Sequence, residues 1–257
     1  MCLILFAYDI HPNYRLILAA NRDEFYQRPT LPLHWWPDSP DILAGRDLKG
    51  KGTWLGITRG GRLAAITNYR DPAHQVHNAP SRGRLVENFL KTHQSPGTYL
   101  KNLSSHGACY NGYNLVCLDN RVMAYFSNRG TGVQQLAAGF YGLSNDLLNI
   151  AWPKVALGKQ RLQALVESSP TILPDVLFDL LCDTTPAPDH LLPNTGVSQA
   201  WERVLSPIFI ISPTYGTRSS SVILLDRRNH VQFLERTFKP DLACRGANEQ
   251  NGFEFQI

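Results

Sequence analysis

Cys2 directly follows Met1 and opens the apolar run Leu3–Tyr8. A small residue behind an initiator methionine allows that methionine to be removed, which would leave one residue carrying both a thiol and a free α-amine. These groups titrate near ~8.5 and ~7.7–8.0, so exchanging a proton between them costs little at neutral pH, and the residue is a nucleophile with its own base. The tetrad Asn21-Arg22-Asp23-Glu24 closes the next apolar run. Within it Asp23 and Glu24 could each hold an α-amine, while Arg22 favours thiolate over thiol. Asn68 and Asn145 add neutral amides suited to an oxyanion, where one preorganised donor is worth on the order of 3 kcal/mol of barrier. Taken singly, Cys2 reads as a small buried hydrophobe, Arg22-Asp23 as a surface ion pair and each asparagine as a turn residue. Only their combination points to acyl transfer.

Other chemistries find less support. Gly45-Arg46-Asp47 and Gly50–Gly56 lack the Gly-Lys-Ser/Thr of a phosphate loop, and Gly216–Ser221 lacks a nucleophile elbow. The eight histidines include no H-E-x-x-H, and five cysteines (Cys2, Cys109, Cys117, Cys182, Cys244) show no C-x-x-C spacing. Neither a disulfide framework nor a metal site is expected from that pattern. A net charge of +4 without a basic block does not suggest nucleic-acid binding. No apolar stretch reaches the ~18 residues of a membrane span, and the opening run is too short for a signal-peptide core, so a cytoplasmic protein is expected.

At 257 residues, 43% of them hydrophobic, the chain can bury a full core. One domain over 1–240 is expected, followed by a polar, poorly ordered tail over 241–257. Two hairpins come first: Leu3–Tyr8 with Leu16–Ala20, and Thr53–Thr58 with Leu63–Thr67 around Arg59-Gly60-Gly61-Arg62. Between them Gln27–Pro40, rich in Pro and Trp, reads as a long ordered loop in which Trp35-Trp36 serve either as a lid or, the favoured reading, as packing. Helical spacing marks Ser81–Lys91, with Ser81 as N-cap, then Thr98–Leu103, Pro153–Glu167 and Pro174–Leu181. Strands are expected at Asn114–Leu118, Val122–Ser127, Ala137–Gly142, Ile208–Ile211, Ser220–Leu225 and Val231–Arg236. Strand blocks separated by helix pairs argue for a layered α+β fold. Polar turns after strand ends, including Asn21–Glu24 and Tyr215–Ser221, would converge on one rim.

Taken in order, Cys2, Asn21-Arg22-Asp23-Glu24, Gly52-Thr53-Trp54-Leu55-Gly56, Thr67-Asn68-Tyr69-Arg70, Ser81-Arg82-Gly83, Gly142-Leu143-Ser144-Asn145 and Tyr215–Ser220 resemble the successive motifs of the NRDE, or transport-and-Golgi-organisation, family. That family is similar to the cysteine-type N-terminal-nucleophile (Ntn) hydrolases, such as choloylglycine and penicillin V acylases. The resemblance implies a four-layer αββα sandwich. It also implies Cys2 as nucleophile, Arg22 beside it, Asp23 against the amine, Asn68 and Asn145 as oxyanion and orienting amides, and Arg236 as the last arginine of the site. The acylases space their Arg and Asp differently, so Asp23 and Glu24 compete for one role.

Two functions follow as expectations. One is hydrolysis of a linear amide or thioester through Cys2. The other, implied by animal relatives, is carriage of haem or acyl-CoA in the same pocket without chemistry. Arg22, Arg70, Arg82 and Arg84 would then meet propionates or phosphates, and Asn21, Glu24 and Arg218 complete the expected ligand-binding set. No cofactor is required; haem enters only as a ligand, with Cys2 or a histidine on its iron.

Overall fold

The first apolar run forms a strand in which every residue after Cys2 is buried, so it has no solvent face. In the computed structural model, which describes residues 2–105, 109–240, 244, 246 and 249–257, the elements follow in chain order. They are β1 (Cys2–Tyr8), β2 (Tyr14–Phe25), β3 (Thr30–Trp36), β4 (Ser39–Asp47), β5 (Leu55–Thr58), β6 (Leu63–Asn68), α1 (Gly83–Lys91), α2 (Pro96–Ser104), β7 (Tyr113–Leu118), β8 (Met123–Ser127), β9 (Gln134–Gln135), β10 (Gly139–Leu143), α3 (Pro153–Ser168), α4 (Pro174–Leu180), α5 (Gln199–Val204), β11 (Tyr215–Asp226), β12 (His230–Thr237) and β13 (Glu249–Gln256). Met1, whose removal the nucleophile requires, lies outside the described residues, as do 241–243, 245 and 247–248 of the expected tail.

The chain divides into two compact units. The first comprises 1–27, 138–144 and 148–256. Its antiparallel sheet has the order β10-β1-β2-β11-β12-β13. Alternate residues Leu3, Leu5, Ala7, Ile17, Ala19, Val222 and Leu224 form one core with Val155, Leu162 and Val166 of α3 and with Leu177 and Phe178 of α4. The second unit comprises 28–137, 145–147 and 257. Its sheet runs β3-β4-β5-β6-β7-β8-β9, and Ala64, Ile66, Leu115 and Phe126 pack under Leu85, Val86 and Phe89 of α1 and Leu100 of α2. Each such side chain, fully buried, is worth roughly 1.5–3 kcal/mol.

Several expectations change. Asn21–Glu24 and Tyr215–Ser221 are not turns but the interiors of β2 and β11. Gln27–Pro40 is not a loop: it supplies β3 and the start of β4, with Trp36 fully buried and its Nε1–H donated to the Ala44 carbonyl at 3.1 Å. Pro32 is tolerated because β3 is an edge strand whose register breaks between Leu31 and His34. Ser81 does not cap α1. Arg82 holds the cap position without a side-chain bond, and the start is fixed instead by the Thr53 N–H reaching the Gly83 carbonyl at 3.2 Å. A Cβ on Gly52 would lie 2.4 Å from the Gly83 carbonyl carbon, which is why these two motifs meet as glycines.

Ile208–Ile211 is buried through Ile210, yet it is no strand: only Ile211 makes an isolated bridge, to Gly216. Its main-chain groups are met by the side chains of Asn21 and Thr217 and by the main chain of Asp183 and Thr217. In the tail, Glu249–Gln256 pairs with β12 along its whole length as β13. Cys182 and Cys244, 62 residues apart, form a disulfide, a pairing that spacing alone does not encode. No helix among the described residues is long and apolar enough to cross a membrane.

Candidate active site

Strand register sorts the tetrad between two faces. Cys2 pairs with Arg22, and Arg22 with Ser219, so these three side chains share one face of the first unit's sheet. Leu3, Asn21, Ser220 and Arg236 form the next row and point the other way, toward the layer of α3 and α4. Between Thr217 and Ser219 the register slips, with Arg218 as the extra residue. That bulge brings Thr217 opposite Asp23 in place of an arginine.

Cys2 is half-buried. Its thiol receives the Asp23 main-chain N–H, and its carbonyl accepts the Ser144 hydroxyl at 3.0 Å. Burial pushes the thiol up and the Asp23 charge adds to this, while the Arg22 guanidinium pulls it down. The resting group is therefore a thiol that needs a base, not a preformed thiolate. Ser219, on the same face, is buried with a hydroxyl that has no hydrogen-bond partner among the described residues.

Asp23 is buried, with Oδ1 accepting the Thr217 hydroxyl at 2.7 Å and the main-chain carbonyl accepting the Tyr215 hydroxyl at 2.9 Å. Its Oδ2 lies 4.0 Å from Lys154 Nζ. Burial raises its carboxyl above the usual range; Lys154, the Thr217 hydrogen bond and Arg22 act in the opposite direction. Asn21, expected to bind ligand, is only 1% exposed, and its amide serves the fold. Nδ2 donates to the carbonyls of Leu181 at 3.0 Å and Ile208 at 2.9 Å, and Oδ1 accepts the Ser220 hydroxyl at 2.6 Å. Glu24 accepts its neighbour's N–H, that of Phe25, at 2.9 Å, and Arg218 donates to the Phe25 carbonyl at 3.0 Å. Burial, with Arg22 beside it, holds Arg218 below the usual arginine value.

The structure does not bring Arg236 to the Cys2 face. It bonds Asp175 of α4 at 2.6 Å and Gln250 of β13 at 2.8 Å, over the ring of Phe178. In the second unit, Asn145 is buried and its Nδ2 donates to the Asn68 main-chain carbonyl at 2.8 Å, while its own carbonyl accepts the Arg70 N–H at 2.7 Å. The Asn68 side-chain amide makes no hydrogen bond among the described residues. Arg82 donates to the Gly112 carbonyl at 2.9 Å, and Arg84 is exposed. A cleft of about 640 Å³ in this unit is lined by Asp41, Arg59, Arg62, Lys91, His93 and Asp119, among others, none of them an expected site residue. Among the described residues no group of three or more His, Cys, Asp or Glu side chains could hold a metal ion.

Sequence reasoning passed over Lys154, Thr217, Ser219 and Ser144. Lys154 did leave a signal: it heads the buried stripe Lys154, Gly158, Leu162, Val166, spaced by four, where only apolar residues belong.

The chain matches the family described as Transport and Golgi organisation 2 over residues 1–240. It is 39% identical to a mouse (Mus musculus) Transport and Golgi organization 2 homolog over 277 aligned positions, covering 100% of this chain and 99% of that protein. It is 40% identical to the human (Homo sapiens) homolog, covering 92% and 93%. Among solved structures it is similar to a conjugated bile acid hydrolase from Clostridium perfringens, solved as its C2A mutant, with TM-score 0.53, 9% identity and coverage of 99% and 92%. That likeness shows the fold, which is α+β of the Ntn-hydrolase type.

Proposed function

The chain belongs to the Transport and Golgi organisation 2 family, and from that premise we propose that it hydrolyses a linear amide or thioester, with Cys2 as the attacking group. The observation that carries this reading is the division of the tetrad between faces. Cys2 and Arg22 share one face, and Asp23 is buried on the other, which suits its carboxylate to the main-chain amine of residue 2 rather than to the sulfur. Removal of Met1 creates that amine. The amine takes the thiol proton; the sulfur attacks the carbonyl and forms a tetrahedral oxyanion. The ammonium then protonates the departing amine or thiol. Water, activated by the same amine, hydrolyses the acyl-enzyme and restores the thiol. Arg22 favours the sulfur anion.

The test begins with the intact mass of the purified native protein, followed by a panel of acyl amides and thioesters assayed with wild type and Cys2→Ala. Loss of Met1 and turnover abolished by Cys2→Ala are expected; turnover that survives the substitution overturns the reading. A thiol raised by burial and left without an amine is a poor nucleophile, so retained Met1 would favour the second reading, carriage of haem or acyl-CoA. A Soret shift on adding haemin, or co-purifying acyl-CoA seen by mass spectrometry, reads that outcome directly.

A further inference from the structure

Lys154 sits where a lysine is least expected. Its side chain is 2% exposed, in the first turn of α3 directly after Pro153. Burial penalises an ammonium, and the positive end of the helix dipole repels one, so neither solvation nor helix stability accounts for it. Nor does slack in the packing. A Cβ on Gly158 would lie 2.6 Å from Leu5 Cδ1, and one on Gly142 would lie 2.7 Å from Val155 Cγ1, so α3 is pressed onto β1 and β10 in the turn that follows this lysine. What the site offers the ammonium is Asp23, whose carboxylate is wholly buried and 4.0 Å from Nζ.

We infer that Lys154 is a positioning residue for the nucleophile: it supplies the counter-charge that lets Asp23 act as an anion, and Asp23 in turn holds the amine of residue 2. The inference rests on the hydrolase reading for the amine, and on the geometry of the pair for the rest. The groups whose charge or dipole reaches Asp23 are Lys154 from α3, Arg22 from its own strand, Thr217 from β11 and Cys2 from β1. Arg22 points to the opposite face of β2, and Thr217 contributes a dipole only. With Lys154 neutralised, a main influence opposing burial is gone and the carboxyl takes up a proton more readily. The amine of residue 2 then loses its anionic partner and gives up its own proton at lower pH.

The measurement is the pH dependence of carbamoylation of the residue 2 amine by cyanate, read by mass on the N-terminal peptide. It uses the full-length protein as wild type, Lys154→Met, Lys154→Arg, Asp23→Asn and the Asp23→Asn/Lys154→Met double variant. The double variant removes both charges of the pair, and near-UV circular dichroism checks the fold of each. In Lys154→Met the midpoint is expected to fall by about one pH unit or more. Lys154→Arg should restore it toward wild type, and the Met substitution should move nothing further once Asp23 is already Asn. A midpoint unmoved in a folded Lys154→Met protein, or shifted equally in the Asp23→Asn background, overturns the role of Lys154 and leaves the hydrolase reading standing. Retained Met1, seen in the same spectra, overturns the hydrolase reading and with it the amine's part.

Discussion

Asn21 ties three separate stretches of chain together, and changing it tests whether the tetrad is structural at this position. Its amide meets two main-chain carbonyls and one hydroxyl, all buried: Leu181 at 3.0 Å, Ile208 at 2.9 Å and Ser220 at 2.6 Å. Asn21→Ala strands these groups at about 1–3 kcal/mol each, so a loss of about 4 kcal/mol is expected. Asn21→Asp is more informative, because an ionised carboxylate would aim a negative charge at two carbonyl oxygens. The folded protein must hold this acid protonated, so its folded pKa lies above the unfolded value near ~3.9. The sign follows: no penalty exists below the unfolded pKa, and the penalty grows as pH rises until the folded pKa is passed. At about 1.36 kcal/mol per pH unit, moving from pH 5 to pH 7.5 adds about 3.4 kcal/mol, beyond about 1 kcal/mol for the lost donor. Urea unfolding followed by fluorescence of the five tryptophans, at both pH values and against wild type, measures this. An Asn21→Asp penalty that is the same at the two pH values, or an Asn21→Ala loss under about 1 kcal/mol, would show that the amide does not carry this load.

The buried pair makes a stability prediction separate from its role in the amine. Asp23→Asn or Lys154→Met alone removes one partner of the buried pair and should cost about 3–5 kcal/mol in urea, whereas the double variant should cost at least about 2 kcal/mol less than their sum; strict additivity would show the charges uncoupled. Because burial raises Asp23, its ionisation opposes folding above the unfolded value, and Lys154→Met should steepen the loss of stability between about pH 5 and 8 relative to wild type. Cys182→Ser opens a crosslink spanning 62 residues, worth about 4 kcal/mol by loop entropy; the same loss should follow when reductant is added to wild type, and an unmoved midpoint in both would place the disulfide outside the cooperative unit.

What was legible in the sequence is what local pattern controls. The period of α1 showed in Leu85, Val86, Phe89 and Leu90, and the hairpin of β5 and β6 in its glycine turn. The strand interiors at Asn21–Glu24 and Tyr215–Ser221 were misread as turns because polar residues in a row normally seek water. Here their partners come from far along the chain: Asn21 reaches Leu181 and Ile208, 160 and 187 residues away, and Thr217 reaches Asp23 across 194. No window of neighbouring residues contains that information. The same holds for Ile208–Ile211, whose apolar run suggested a strand. Its main chain is bonded to the side chains of Asn21 and Thr217, with Ile210 N–H meeting the Thr217 hydroxyl at 2.9 Å.

The tetrad itself becomes intelligible once it is a strand. In a turn, four consecutive polar residues would face one rim, as the sequence reading supposed. In β2 they alternate, so adjacent residues are assigned to opposite faces. Asn21 and Asp23 go to the helix side, one closing the hydrogen bonds of two carbonyls and the other buried beside Lys154. Arg22 goes to the side of Cys2, where its charge lowers the thiol. The bulge at Arg218 keeps this division intact: without it, the residue opposite Asp23 would be an arginine rather than Thr217. Two cations would then flank one carboxylate, and the selective pairing of Lys154 with Asp23 would be lost. Contiguity in the motif therefore reflects a strand that serves two faces.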